Sequence, residues 1–126
     1  MTTRRRSLIA PERDEKKACL QLLALRRNVI AWAVRMNTGE MPTEDGKRYI
    51  RYGFVGCPDI IGQTVTGKFF AWEVKRQGKK PTGEQQATLH RIVECGGYAG
   101  HGTAADLEKY LQTVKDRVEE DQEDDR

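Results

Sequence analysis

The sequence contains no apolar run approaching the roughly 20 residues needed to cross a bilayer as a helix, so no membrane span is expected. Cysteine is sparse. Cys19, Cys57 and Cys95 are odd in number, far apart and without a CxxC pair, which excludes a disulfide framework. With only His90 and His101 as imidazole donors, a structural zinc site is also unexpected. Arg4, Arg5 and Arg6 are followed by no apolar stretch of signal-peptide length, so the expectation is an intracellular protein.

What the chain has instead is charge, at 33% of residues against 37% hydrophobic, within a length of 126 that suits one domain. The net charge of +3 conceals an asymmetry. Residues 116–126 hold seven acidic and two basic side chains, a net of −5, which leaves +8 on the rest. A basic body with an acidic tail fits a nucleic-acid binder, although a balance of this size is common among soluble proteins. The expected organisation is a disordered basic arm over 1–10, one domain over 11–115 and a solvated, disordered acidic tail over 116–126.

Within the domain the first helix is expected from Pro11 to about Arg27. Pro11 suits a first helical position, Glu12, Asp14 and Glu15 suit the positive end of the dipole, and Arg26 and Arg27 the negative end. Its apolar stripe runs through Cys19, Leu22 and Leu23, and the same spacing extended backwards brings Glu15 and Glu12 to the inward face. Val29 to Arg35 is β-branched, aromatic and nearly continuous in apolar character, which predicts a strand buried on both faces. A long connection from Asn37 to Gly56 interleaves Lys47, Arg48 and Arg51 with Tyr49 and Tyr52. It is either a nucleic-acid grip or a solvated hairpin.

Asp59 to Thr64 and Lys68 to Lys75, separated by a turn near Thr66-Gly67, predict a β-hairpin. Thr82 followed three residues later by Gln85 is a capping-box pattern, opening a helix to about Glu94 that Gly96-Gly97 ends. Tyr98 to Gly102 is a short strand, parallel to a neighbour because a helix crosses over to reach it. Thr103 and Asp106 signal a last N-cap, followed by the stripe Leu107, Tyr110, Leu111 and Val114. The fold class expected is α/β, with a mixed central sheet flanked by helices.

The chemistry sits on the predicted hairpin, at Asp59 after Pro58 and at Glu73-Val74-Lys75. Alternation along a strand sends Glu73 and Lys75 to one face and Val74 to the other. A strand otherwise made of Phe69, Phe70, Ala71 and Trp72 is a poor place for a carboxylate unless something offsets its desolvation. A divalent cation would do so, held by Asp59, Glu73 and the Val74 carbonyl, with Lys75 orienting the attacking water. Hydrolysis of a phosphodiester is the natural reaction. The plainer alternative is a Glu73–Lys75 ion pair with Asp59 capping a turn, and ExK alone, a frequent tripeptide, does not exclude it.

Taken together, RMNTG (residues 35–39), GFVGCPD (53–59), EVK (73–75) and KPTGEQ (80–85) make the run from Arg35 to Gln85 resemble the VRR-NUC family of virus-type replication-repair nucleases, within the PD-D/ExK superfamily, and with the first helix and GGYAG (96–100) the resemblance covers roughly residues 12 to 112. The resemblance implies a restriction-endonuclease-like core, cleavage of branched or structured DNA with Mg²⁺ or Mn²⁺, and a kinship with Holliday-junction resolvases, which act as homodimers. It implies Asp59, Glu73 and Lys75 as the catalytic core and Gln85 as a helix residue near the site, in competition with its capping role. The first-helix carboxylate is either Glu15 or Glu12, with Glu15 preferred. The length around Asn28 to Val34 departs from the family pattern and leaves that alignment open. Candidate DNA contacts are Arg35, Asn37, Lys47, Arg48, Arg51, Arg76, Lys79 and Lys80. A phage origin also fits so small a nuclease. The alternative reading is a non-catalytic nucleic-acid-binding or interaction module on the same fold.

Overall fold

The computed structural model describes residues 8–36 and 39–124, apart from the side chains of residues 39, 40, 51 and 52. Most of the expected arm over 1–10, as well as Asn37, lies outside the described residues. Along the chain come α1 (Glu12–Ala24), β1 (Ile30–Arg35), β2 (Gly39–Pro42), β3 (Tyr49–Tyr52), β4 (Ile60–Thr64), β5 (Phe69–Val74), α2 (Gly83–Glu94), β6 (Tyr98–Gly102) and α3 (Ala104–Asp124). The central sheet has the order β1-β4-β5-β6, and β2 and β3 form a separate two-stranded ribbon. β1 and β5 both run antiparallel to β4, while β6 runs parallel to β5, as expected for a strand reached through a crossover helix.

The sheet is mixed and flanked by helices on both faces. On β5, Phe70, Trp72 and Val74 are fully buried toward α1 and α3, and Trp72 lies 5.5 Å from the ring of Tyr110. α3 contributes Leu107, Leu111, Val114 and Val118 to this core, and α1 contributes Cys19 and Leu23. The other residues of β5, Ala71 and Glu73, therefore face the side packed by α2. No helix among the described residues is long and apolar enough to cross a membrane.

Four expectations need adjustment. Pro11 stays extended (φ −64°, ψ 153°) and caps α1 from outside instead of opening it. The helix ends at Ala24, so Arg26 and Arg27 lie beyond it, where the Arg26 carbonyl accepts from both Val29 N and Ile30 N in the turn into β1. β1 is an edge strand and is not buried on both faces: Trp32 is 43% exposed and Val34 48%. An unbroken apolar run marks a strand but does not say whether both of its faces find a neighbour.

The fourth concerns the tail, since α3 continues as helix to Asp124 where disorder from residue 116 was expected. The stripe through Leu107, Leu111 and Val114 runs on to Val118, which is 1% exposed, and Lys68 Nζ meets Asp121 Oδ2 at 3.2 Å. Burial of Val118 and that ion pair offset the unfavourable placement of acidic residues at a helix C-terminus. Within the long connection, residues 39–52 form an antiparallel ribbon, with β2 and β3 in register Pro42↔Tyr49 through Gly39↔Tyr52.

Candidate active site

Two carboxylates meet at the end of the β4–β5 hairpin. Glu73 belongs to β5, and Asp59 directly precedes β4, in which Ile60 pairs with Trp72. Backbone and side chain lock the pair reciprocally: Val74 N donates to Asp59 Oδ2 at 3.0 Å, and Asp59 N donates to Glu73 Oε2 at 3.2 Å. A strand residue's N–H and C=O leave on the same side, so the Val74 carbonyl is also on the Asp59 side of β5. Met36 N donates to the Asp59 carbonyl at 2.7 Å, which ties the end of β1 to the same point.

The second oxygen of each carboxylate faces donors. Gln85 Nε2 reaches Glu73 Oε1 at 2.9 Å, and Lys75 Nζ lies 3.7 Å from the same atom. Gln85 does this while completing its capping box: its Oε1 accepts from Thr82 N at 2.8 Å, and its own N donates to Thr82 Oγ1 at 3.3 Å. The capping role and the site role expected as competitors are thus held by different atoms of one side chain. The loop before Asp59 is seated on the start of α2 at Gly56, whose φ is +84° and where a Cβ would stand 2.5 Å from the Glu84 carbonyl oxygen. Only glycine satisfies both conditions.

Glu73 is 3% exposed. Burial, followed by its hydrogen bond and charge repulsion with Asp59, pushes its carboxyl up to about 8, against an opposing pull from Lys75. Two carboxylates held together in a dry site cannot both ionise freely without a cation. Burial, and after it the negative charge of Glu15 and Asp59, pushes the Cys19 thiol up to about 12, and Cys57 is raised chiefly by burial as well. Neither thiol is available as a thiolate nucleophile near neutrality.

The first-helix residue that touches this pair is one the sequence reading passed over. Lys16 Nζ stands 3.4 Å from Asp59 Oδ1 and 3.7 Å from Glu12 Oε2, so it bridges the two carboxylates. Glu15, preferred over Glu12 as the site carboxylate, turns away: its Oε2 accepts from Ala104 N at 2.6 Å and caps α3. Glu15 is half-buried as its spacing predicts, Glu12 keeps 42% of its side chain exposed, and one turn of helix separates the site from the α3 terminus. His101 was also missed as a neighbour of the site; it is the register partner of Glu73 on β6 and is exposed.

Among the basic candidates, Arg35 ends β1 beside Ile60 and is exposed. Arg76, Lys79 and Lys80 surround, with Lys75, Glu12 and Pro11, a cavity of about 380 Å³, which Lys75 links to Glu73. Lys47 and Arg48 are exposed at the tip of the β2–β3 ribbon, whose turn is held by Asp45 Oδ1 accepting from Lys47 N at 3.0 Å. The Arg51 side chain and Asn37 lie outside the described residues.

Among the described residues no group of three or more histidine, cysteine or acidic side chains converges on a metal-sized point. The donor set is instead two carboxylates and a carbonyl. That set fits magnesium or manganese, which keep several water ligands and accept phosphate oxygens, and does not fit a metal that demands a complete protein cage. Burial first, and then the charge of Asp59, raise Glu73, and a divalent cation would offset both by favouring the ionised carboxylate. Compared with known protein families, with curated proteins and with solved structures, the chain matches none of them.

Proposed function

We propose that this protein is a divalent-metal-dependent endonuclease with a restriction-endonuclease-like core of the VRR-NUC type, hydrolysing phosphodiester bonds in branched or otherwise structured DNA. The observation that carries the reading is the pairing of buried Glu73 with partly buried Asp59, with Lys75 and Gln85 converging on one glutamate oxygen. A structural ion pair would need neither the second carboxylate nor the glutamine.

Asp59 Oδ1, Glu73 Oε1 and the Val74 carbonyl would hold Mg²⁺ or Mn²⁺. When bound, the ion supplies Lewis acidity toward the scissile phosphate and lowers the pKa of the attacking water. Gln85 fixes the Glu73 rotamer by donating to Oε1, leaving the carboxylate preorganised. Lys75, on the same strand face, orients that water and balances charge as it builds on the phosphate. Arg76, Lys79, Lys80, Arg35, Lys47 and Arg48 hold the flanking phosphates and supply most of the affinity.

A homodimer acting on both strands of a branch belongs to this reading. Its support is an apolar row on the sheet face that carries Glu73: Trp32, Val34 and Phe69 are each more than 40% exposed there. An intracellular, phage-encoded enzyme remains part of the same proposal.

The test incubates the protein with labelled four-way junction, flap, linear duplex and single-stranded DNA in Mg²⁺, Mn²⁺ or EDTA, beside Asp59→Ala. Metal-dependent cutting lost in the variant is expected, with branched DNA preferred. A second reading, a non-catalytic nucleic-acid-binding module, is favoured by one observation: the Lys16 ammonium already faces Asp59 Oδ1 and partly neutralises the pair. Binding without cutting under every condition would select it.

A further inference from the structure

Arg76, Lys79 and Lys80 do not border one cavity but two. On one side is the small cavity beside Lys75 and Glu12. On the other is a groove of about 1220 Å³ that runs from the 76–80 loop across the outer edge of β6 to Lys109 on α3. The three cations line both cavities, and Lys75 links the smaller one to Glu73. The floor joins the catalytic strand directly, since His101 lies in register with Glu73 and Gly102 O accepts from Lys75 N at 3.0 Å.

The charge lining the groove is predominantly positive. Among the described residues, Arg76, Lys79, Lys80 and Lys109 have no carboxylate within ion-pair distance. The two carboxylates in its wall are committed to backbone amides: Glu15 to Ala104 N and Asp106 to Thr103 N at 2.9 Å. Four cations against two carboxylates leave the lining net positive, which attracts a polyanion. β6 is the last strand of its sheet, and Ala99, Gly100 and Gly102 leave the floor at backbone height, with the outer peptide groups facing no further strand. A volume of this size accommodates a few nucleotides of one strand.

We propose that this groove is a track for single-stranded nucleic acid, continuing the strand past the active site, with Lys109 and His101 as its far contacts. It rests on the nuclease reading in naming the substrate: a duplex that carries a single-stranded arm. Cut and uncut substrate both occupy the groove, because its contacts lie beyond the reacting phosphate.

Binding is measured in EDTA, where no cutting occurs, for a labelled duplex with a single-stranded arm and for a blunt duplex, over a range of salt. Lys109→Ala is compared with Lys115→Ala, a like change on the same helix at a residue paired with Glu119 and outside the groove. The expected result is that Lys109→Ala weakens binding of the armed substrate and reduces the slope of log K against log salt by about one, while blunt duplex is unaffected. Lys115→Ala should change neither. Equal loss on both substrates, equal loss in both variants, or no loss in Lys109→Ala would overturn the track. The nuclease reading fails separately: Lys109-dependent binding of the armed duplex with no cleavage in Mg²⁺ or Mn²⁺ sinks catalysis and leaves the groove standing.

Discussion

Glu73 carries the sharpest consequences at the scale of single residues. Its folded-state carboxyl titrates near 8, mainly through burial and then through Asp59, against an ordinary value of 4.5. A carboxyl raised on folding contributes stability that is fully present below the unfolded value and is lost as pH rises through the folded one. In EDTA, thermal stability should therefore fall progressively from about pH 4.5 to pH 8. Glu73→Gln, which cannot ionise, should lose most of that slope, and an unchanged slope in its melting series would rule out the assignment. Lys75→Ala should abolish cleavage, a loss of at least ~100-fold for a group that stabilises developing charge, and leave binding in EDTA close to wild type. Single-turnover rates and titrations read the two quantities separately, and full activity would dismiss Lys75 from the mechanism.

Among elements, α2 and α3 each join the site to the scaffold. Thr82 caps α2 and holds Gln85 in the geometry that reaches Glu73. Thr82→Ala should cost about 1 kcal/mol of stability in urea unfolding and should leave the rate at low temperature close to wild type, because the Gln85 side chain is held by the Thr82 backbone N–H, which the substitution keeps. A slowed rate at low temperature would show that the Thr82 hydroxyl also sets the position of Gln85. At the other end of the chain, the acidic composition of residues 116–124 conceals a helix that buries Val118 and pairs Asp121 with Lys68. Removing residues 116–126 should lower stability by roughly 1.5–3 kcal/mol, the cost of exposing one buried aliphatic side chain, whereas removing only 125–126 should be neutral. Equal melting temperatures for the two truncations would contradict the buried stripe.

Metal binding and self-association, both part of the proposed function, would act on the whole molecule. A ligand that binds only the folded state stabilises it by mass action, by about 2.7 kcal/mol when present at 100 times its dissociation constant. Mg²⁺ or Mn²⁺ should raise the melting temperature of the wild type and flatten the pH dependence due to Glu73, with no such shift in Asp59→Ala. A shift of the same size in that variant would place the cation elsewhere. The exposed row of Trp32, Val34 and Phe69 makes sedimentation concentration-dependent if it is the dimer contact, and Trp32→Arg should then yield a monomer. Concentration-independent monomer in the wild type would reject the homodimer.

Local patterns were enough to place most elements. The capping box at Thr82 and Gln85, the hairpin that brings Asp59 opposite Glu73, and the parallel last strand all follow from interactions within a few residues or from chain-crossing rules. Asp59, Glu73 and Lys75 were legible for the same reason, since two adjacent strands and their alternation suffice to bring them together. What depends on neighbours distant in sequence was decided by the tertiary structure alone. Whether β1 has one covered face or two depends on its place at the sheet edge, and whether residues 116–124 are solvated depends on a core for Val118 to enter. The same holds for the first helix, whose periodicity turns Glu12, Glu15 and Lys16 inward without saying which meets what. Only the docking of α1 against β5 and α3 sends Lys16 to Asp59 and Glu15 to the start of α3, because a helix rotates and slides as a rigid body until its apolar face is covered.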